Sequence, residues 1–297
     1  MKILLFGRNG QVGWELQRSL APLGELVALD RAGEGGLCGD LADPAGVART
    51  VAQVRPDLIV NAAAYTAVDK AEADAEQART VNARAPAAIA QAAAEGGAAL
   101  VHYSTDYVFD GSGTRPWREG DATGPLSVYG RTKLEGEQAV AQALPRHLVL
   151  RTSWVYGARG GNFAKTMLRL AREREELKVV DDQVGAPTGA DLLADVTAHA
   201  VRGWMAGQAP GGIFHVAAGG ETSWHGYARF VVARARQAGQ VLKADADRVL
   251  PIPSSAFPVP ARRPHNSRLD TSRFRAAFGL VLPPWEQGVA RMLQEIL

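Results

Sequence analysis

The sequence predicts an α/β fold in which helices cover both faces of a doubly wound, Rossmann-like parallel sheet, with a smaller C-terminal substrate-binding domain. Three observations predict it. Continuously apolar strands alternate with helical patterns in the first half, a glycine-rich turn follows the first strand, and the pattern becomes irregular near residue 153. Continuously apolar strands belong to sheets that are buried on both faces. Right-handed crossovers then place binding residues at the carboxyl ends of the strands.

The elements of the first half follow in regular order. Five apolar runs predict strands at residues 2–6, 26–29, 58–60, 100–103 and 148–151. Four helical patterns lie between them, at residues 11–20, 44–54, 72–94 and 127–143. Asp43 before Pro44 is typical of a helix N-terminus, because a carboxylate caps free N–H groups and proline fits the first turn.

The second half is less regular. One strand is predicted at residues 213–216, and helical patterns cover residues 163–173, 190–205, 224–238 and 285–297. The proline-rich stretch 251–264 is expected to form a loop. We therefore predict a dinucleotide-binding domain over residues 1–153 and a mainly substrate-binding domain over residues 154–297. Some segments of the second domain are expected to return to the first.

Composition and charge bear on the expected partners. The chain of 297 residues carries 33 basic and 31 acidic residues, a net charge of +2, and its basic residues are scattered. Neither nucleic acid nor an anionic membrane is therefore an expected partner. No run approaches the roughly 20 apolar residues of a membrane-spanning helix, and the N-terminus lacks the pattern of a signal peptide. Cys38 is the single cysteine, so no internal disulfide forms, and we expect a cytoplasmic protein.

A glycine-rich turn predicts a dinucleotide site. Between the first strand and the first helix lies the segment Gly7, Arg8, Asn9, Gly10, Gln11, Val12, Gly13. In such a turn Gly7 permits the tight bend, Gly10 lets the backbone approach a pyrophosphate, and Gly13 lets helix and strand pack closely. The helix N-terminus offers free N–H groups and a positive dipole end to the phosphates.

Residues after the second and third strands fit the rest of a dinucleotide. Asp30 can accept hydrogen bonds from the ribose hydroxyls of adenosine, which favours NADH. Arg8 or Arg31 could instead hold the 2′-phosphate of NADPH in a bidentate grip. The sequence leaves NADH and NADPH both open. Five further residues are expected to border the cofactor: Asp40, Leu41, Ala62, Ala63 and Ala64.

A tyrosine and a lysine four residues apart predict acid–base chemistry. On a helix this spacing places Tyr129 and Lys133 on one face. An ammonium near a phenol stabilises the phenolate, so Lys133 is expected to lower the pKa of Tyr129 toward neutrality. At the end of the fourth strand, Ser104 or Thr105 would supply a hydroxyl to a substrate carbonyl oxygen.

Longer motifs identify a family. The glycine turn, the run Ser104-Thr105-Asp106 and the Tyr129–Lys133 pair resemble the extended short-chain dehydrogenase/reductase family. Four segments closely resemble the dTDP-4-dehydrorhamnose reductases within it, and these are residues 61–69, 104–111, 151–157 and 263–270, with the sequences NAAAYTAVD, STDYVFDG, RTSWVYG and RPHNSRLD. The resemblance covers essentially the whole chain, and its motifs are typical of a subfamily rather than of a fold.

The resemblance implies a reaction and roles. Such enzymes use NADPH or NADH to reduce the C4 ketone of dTDP-4-dehydro-β-L-rhamnose to dTDP-β-L-rhamnose, the last step of dTDP-rhamnose synthesis for bacterial surface polysaccharide. Tyr129 would be the general acid, Lys133 would tune it and bind the nicotinamide ribose, and Thr105 would hydrogen-bond the reacting oxygen. Residues implied around the deoxysugar are Val68, Thr105, Asp106, Tyr107 and Trp154. Cationic candidates for the diphosphate are Lys165, Arg262, Arg263 and Arg268.

A metal and a second subunit are also implied. Some members of this family form homodimers bridged by Mg²⁺ through carboxylates. The matching positions are Glu15, Asp191 and Glu295, and Asp191 replaces the glutamate usual there. The shorter side chain withdraws its oxygen by one methylene, which matters for a small octahedral ion. The sequence leaves open whether these carboxylates bind Mg²⁺ or face solvent on their helices.

Two other functions stay open from the sequence. One is a nucleotide-sugar 4,6-dehydratase or epimerase of the same fold, which uses its hydride twice. The dehydratases typically place a second acidic residue where this chain has Tyr107 after Asp106. The other is a non-catalytic regulatory subunit of the reductase fold. The intact set of Thr105, Tyr129 and Lys133 argues against that alternative.

Overall fold

One parallel sheet organises the fold. The computed structural model describes residues 1–297, and its twelve strands are β1 Lys2–Phe6, β2 Glu25–Leu29, β3 Leu58–Asn61, β4 Ala99–Thr105, β5 His147–Thr152, β6 Val155–Tyr156, β7 Leu177–Val180, β8 Val184–Gly185, β9 Thr188–Gly189, β10 Gly212–His215, β11 Thr222–Ser223 and β12 Val249–Ile252. Six of them pair in parallel in the order β2-β1-β3-β4-β5-β10. The strand order reverses between β1 and β3, which is where doubly wound sheets bind their ligands. The predicted fold class is confirmed.

Helices cover both faces of this sheet. They are α1 Gln11–Leu20, α2 Pro44–Val54, α3 Val68–Ala71, α4 Ala75–Arg79, α5 Ala85–Gly96, α6 Val128–Ala143, α7 Phe163–Glu173, α8 Ala190–Met205, α9 Trp224–Gln237, α10 Ser272–Phe278 and α11 Trp285–Ile296. Apolar side chains of α1, α8 and α10 join one core cluster with the sheet, and those of α2, α5 and α6 join another. No helix is long and apolar enough to cross a bilayer.

The helix predicted at residues 72–94 is wrong in two places. The chain turns after α3, and α4 begins only at Ala75. Between α4 and α5 the backbone then forms a π-helical turn over Thr80–Arg84. Pro86 cannot donate a hydrogen bond to the carbonyl four residues earlier. That carbonyl belongs to Asn82, whose amide side chain bonds both backbone groups of Tyr65 at 2.8 and 3.1 Å.

The second half of the chain contributes to both parts of the molecule. A separate core cluster combines Tyr156 with apolar residues of α7, β7, α9 and α11. Strand β10 instead pairs with β5 in the main sheet, and α8 packs on α1. The boundary at residue 153 stays a prediction. The stretch 251–264 is not wholly a loop, because β12 pairs with β7 and includes Pro251.

Candidate active site

A cleft of about 1140 Å³ opens at the carboxyl ends of the central strands. It collects residues from segments that lie far apart in the sequence. Among its lining residues are Gly7, Asn9, Gly10, Gln11, Val12, Asp30, Arg31, Asp40, Leu41, Ala62, Ala63, Ala64, Val68, Thr105, Asp106, Tyr107, Tyr129, Lys133 and Trp154. Of the cofactor residues and candidates expected from the sequence, Arg8 and Gly13 do not line it.

The glycine turn needs its glycines for contact as well as for conformation. Gly7 has a φ of +90°, and a Cβ there would lie 2.8 Å from the backbone nitrogen of Ala63. A Cβ on Gly13 would lie 2.0 Å from the carbonyl oxygen of Gly7. Gly13 therefore lets α1 approach β1 behind the turn. Gly10 faces open space apart from one ordinary contact, so the backbone there is accessible from the cleft.

Asp30 is held at the end of β2 by its neighbours. Its Oδ2 accepts hydrogen bonds from Arg8 Nε at 3.2 Å and Asn9 Nδ2 at 2.8 Å, and its Oδ1 accepts from the backbone N–H of Ala32 at 2.9 Å. Although partial burial opposes it, this set of donors lowers the pKa of Asp30. Arg8 is also bonded to Glu34 at 2.6 Å. The guanidinium of Arg8 is thus committed to two carboxylates.

Arg31 is the freer of the two candidate arginines. Its side chain is 82% exposed, and its single ion pair, with Asp40, is 3.3 Å long. Such an exposed pair contributes little to stability. Arg31 can therefore turn toward a ligand at the rim of the cleft at small cost.

Tyr129 and Thr105 meet at the inner end of the cleft. Burial raises the pKa of Tyr129 to about 12, and hydrogen bonding with the Thr105 side chain offsets part of that rise. Lys133 is not among the groups that lower it. The expectation that Lys133 lowers the pKa of Tyr129 is therefore wrong for this structure, because burial dominates and the Lys133 ammonium is bonded to the Tyr103 carbonyl instead. The Tyr129 phenol is protonated near neutral pH and is ready to donate.

Lys133 points into the strand layer. Its Nζ donates to the carbonyl of Tyr103 at 2.6 Å and lies 3.4 Å from His102 Nε2. Burial lowers the pKa of Lys133 to about 8, although the charge of Glu137 opposes this. Lys133, rather than Tyr129, is therefore the group of this pair that titrates close to neutral pH.

The Ser104-Thr105-Asp106 run supplies polar atoms to the same place. Thr105 Oγ1 donates to Asp106 Oδ1 at 3.1 Å and accepts from the backbone N–H of Tyr107 at 3.2 Å. Burial raises the pKa of Asp106 to about 7. Ser104 Oγ, Asp106 Oδ2 and Thr152 Oγ1 are buried without a protein partner, and all three residues line the cleft. They offer hydrogen-bonding positions for a polar ligand.

Comparison with known proteins assigns the chain to a family. A family model described as the RmlD substrate binding domain matches residues 1–297. A dTDP-4-dehydrorhamnose reductase of Shigella flexneri is 58% identical over 298 residues, which is 100% of this chain and 98% of the relative. The chain belongs to the dTDP-4-dehydrorhamnose reductase family.

Solved structures of that family share the fold over their full length. A dTDP-4-dehydrorhamnose reductase from Clostridium acetobutylicum is 36% identical with a TM-score of 0.89, covering 99% of both chains. The enzyme from Bacillus anthracis, solved in complex with NADP, is 34% identical with a TM-score of 0.88 and the same coverage. The glycine turn, the small side chains after β3 and the open cleft of this family member fit a nicotinamide dinucleotide.

Two stacked tryptophans form one wall of this reductase-family cleft. The rings of Trp154 and Trp224 are stacked with centroids 3.6 Å apart, and the φ of Trp154 is +48°. The Trp224 indole N–H is anchored on Gln183 at 3.2 Å. On another side of the cleft, Tyr107 contacts Tyr129 edge to face at 5.7 Å. Sequence reasoning missed Trp224, because no local pattern reports that it meets Trp154.

The four cationic residues expected to bind a substrate diphosphate differ in their position relative to the cleft. Arg263 lines the cleft, where it pairs with Asp69 at 2.7 Å and keeps a buried Nε without a partner. Lys165 instead donates to backbone carbonyls after β6, and Arg268 pairs with Glu221 at 2.7 Å. Arg262 is exposed and does not line the cleft. Among the four, Arg263 is the one placed to meet a ligand.

The Mg²⁺ prediction is not supported. Glu15 lies 3.6 Å from Arg18. Asp191 and Glu295 lie 3.9 and 3.4 Å from Arg291. No group of three or more His, Cys, Asp or Glu side chains is placed to hold a metal ion. Each carboxylate that the family resemblance implied as a ligand thus lies near an arginine, Arg18 or Arg291, rather than in a set of metal ligands.

Proposed function

We propose that this chain is an NAD(P)H-dependent oxidoreductase that reduces the C4 ketone of dTDP-4-dehydro-β-L-rhamnose to dTDP-β-L-rhamnose. The observation that carries the proposal is the meeting of Tyr129 and Thr105 in a cleft that Lys133 and the glycine turn also line. Full-length relatives that are 56–58% identical carry the name of this reductase. The activity belongs to dTDP-rhamnose biosynthesis.

The residues of the inner cleft divide the reaction between them. A bound reduced nicotinamide supplies the hydride for the ketone carbon. Tyr129 donates its hydroxyl proton to the carbonyl oxygen as negative charge develops there. Thr105 orients that oxygen through its hydroxyl, and Lys133 contributes the positive charge of its ammonium to the lining of the cleft. Trp154, Val68 and Tyr107 present an apolar surface to the methyl group of a 6-deoxy sugar.

An oxidation assay tests the reaction directly. The purified chain is expected to oxidise NADPH or NADH only when dTDP-4-dehydro-β-L-rhamnose is present, with one dTDP-β-L-rhamnose formed for each reduced nicotinamide consumed. dTDP-glucose, which has no ketone, is the matched control and is expected to give no oxidation. The proposal fails if the ketone substrate gives no oxidation, or if the protein retains NAD⁺ and releases an isomerised or dehydrated sugar.

Cofactor choice is proposed to rest on Asp30 and Arg31. Asp30 can bind the adenosine ribose hydroxyls of NADH, and exposed Arg31 can pair with the 2′-phosphate of NADPH, so both cofactors are used. Arg31→Ala is expected to raise the KM for NADPH about tenfold, since a hydrogen bond to a charged group contributes about 1.5 kcal/mol. The KM for NADH should change less than about twofold by the same reasoning.

The matched control for Arg31 is Arg49→Ala. Arg49 lies on α2, is similarly exposed, pairs with Asp43 at the start of that helix and does not line the cleft. It should leave both KM values unchanged. Equal effects of Arg31→Ala on NADH and NADPH would remove Arg31 from 2′-phosphate recognition.

The homodimer and the cytoplasmic location stay predictions. Light scattering of the purified chain would test the homodimer.

A further inference from the structure

A buried polar chain runs behind the catalytic lysine. Asn61 ends β3, His102 lies on β4 and Lys133 lies on α6, and their side chains are 1%, 0% and 2% exposed. Asn61 Nδ2 is 3.2 Å from His102 Nδ1, and His102 Nε2 is 3.4 Å from Lys133 Nζ. The proposed reaction uses Lys133 but assigns nothing to the other two.

The hydrogen bonds of Asn61 fix its orientation. Its Oδ1 accepts from the backbone N–H of Ala63 at 3.1 Å. The amide nitrogen must therefore face His102, and because an amide NH₂ can only donate, His102 Nδ1 must accept. A neutral imidazole carries one proton, so the proton of His102 lies on Nε2. Burial, reinforced by the charge of Lys133, lowers the pKa of His102 well below its usual range, which keeps the ring neutral.

The orientation of the ring acts on the lysine. An Nε2–H group directed at Nζ cannot bond to an ammonium, which has only protons to offer, but it can donate to the lone pair of a neutral amine. We propose that Asn61 and His102 form a positioning pair that holds an imidazole N–H against Lys133 and thereby favours release of a proton from its ammonium during turnover. This inference rests on the proposed reductase reaction.

The proton balance of the reaction gives the pair a purpose. Tyr129 transfers its hydroxyl proton to the new C4 alkoxide and becomes a phenolate. Lys133 Nζ is bonded to the Tyr103 carbonyl rather than to Tyr129, so a proton released by the ammonium passes through solvent in the cleft to the phenolate. This transfer restores the phenol and leaves a neutral amine, which the Nε2–H of His102 stabilises. Solvent water at the open cleft then returns a proton to the amine. Lys133 must start as an ammonium, so kcat is expected to fall as the pH rises through its pKa of about 8.

Few other charges face this lysine. On its own helix, Glu137 raises the pKa of Lys133, but that carboxylate is bound by Arg151 of β5 through bonds of 2.6 to 3.1 Å. From β4 the backbone carbonyl of Tyr103 faces Nζ as well as His102. Tyr129 is neutral near physiological pH. Whether His102 presents an N–H group or a lone pair to Lys133 is therefore the contribution to the pKa of Lys133 that a substitution can change.

Asn61→Asp is expected to exchange the N–H group and the lone pair of the His102 ring. A carboxylate can accept from both Ala63 N–H and His102 Nδ1–H, so the ring proton moves to Nδ1 and the Nε2 lone pair faces the ammonium. The basic limb of the kcat–pH profile is expected to move up by about one unit, equivalent to a tenfold rise in the proton affinity of Lys133. The KM for NADPH should change less than about twofold, because Lys133 keeps its charge.

Asn82→Asp is the matched control. Asn82 is also 1% exposed and also bonds a side chain of α6, Thr132 at 3.2 Å, but it does not touch His102. It adds the same charge at a buried site, and its basic limb should stay where the unaltered chain has it. The proposal is overturned if both variants move the limb equally or if neither moves it.

The tautomer can be read without any activity. Histidine labelled with ¹⁵N, assigned by comparison with His102→Gln, should show His102 protonated at Nε2 in the unaltered chain and at Nδ1 in Asn61→Asp. A proton on Nδ1 of the unaltered chain would overturn the inference even if the reductase assay succeeds. A correct tautomer in a chain that fails to oxidise NAD(P)H would contradict the proposed function instead.

Discussion

Tyr129→Phe is expected to lower kcat by a factor of about 10²–10⁴, because it removes the general acid that protonates the C4 oxygen. The phenol is buried beside Thr105 with a pKa of about 12. It is therefore protonated, and able to act as an acid, throughout the neutral pH range. The ring remains, and with it the edge contact to Tyr107. Binding of NADPH, measured by fluorescence titration, should therefore be nearly unchanged.

Tyr65→Phe separates this effect from loss of any tyrosine hydroxyl in the cleft. Tyr65 also lines the cleft, but its hydroxyl is bonded to Asp74 at 3.1 Å, away from Thr105. Its kcat should stay within about threefold of the unaltered chain, since this loses one ordinary hydrogen bond. A Tyr129→Phe chain with near-normal kcat would mean that another group, or water, protonates the alkoxide.

Glu137→Ala is expected to cost about 3–5 kcal/mol in the free energy of unfolding, because it strands a buried guanidinium. Arg151 is 3% exposed and Glu137 is 1% exposed at the side chain. Arg151 donates to Glu137 through both Nε and Nη2, while its Nη1 has no partner at all. Without Glu137 the charge has no counter-ion in its site. Urea denaturation would measure the loss.

Another glutamate of α6 provides the comparison. Glu135 pairs with Arg79 at 2.9 Å, and both side chains are well exposed to solvent. Glu135→Ala should cost less than about 1 kcal/mol, as exposed ion pairs usually do. The double variant Glu137→Leu with Arg151→Met should recover most of the stability, since it removes both charges together. The explanation fails if the two single glutamate variants cost the same.

The main elements were predictable because local pattern and burial agree. α1, α2, α7 and α8 begin and end at the residues that apolar periodicity and capping indicate. The Asp43 side chain does accept from Gly46 N–H at 2.9 Å, as its place before Pro44 predicts. Parallel pairing then brings separate strand ends to one edge, which is why the cleft residues could be named without coordinates.

What the sequence could not predict depends on contacts between distant residues. Two-residue strands such as β6 and β9 exist only through their pairing, so no periodicity marks them. The π-helical turn over Thr80–Arg84 interrupts a run whose composition is uniformly helical. The pKa of Tyr129 was mispredicted because spacing along a helix gives proximity to Lys133 but not the depth of burial.

Synthesis on the ribosome delivers the main sheet out of spatial order. β5 ends at Thr152, and its outer neighbour β10 begins only at Gly212. At about 5–20 residues per second, the intervening stretch of about 60 residues takes roughly 3–12 seconds to emerge. Until then one edge of β5 has no paired strand, and unpaired strand edges can pair with strands of other chains. A polypeptide that is truncated within this interval keeps the unpaired edge of β5 permanently. We therefore expect it to aggregate rather than to fold into a stable N-terminal half.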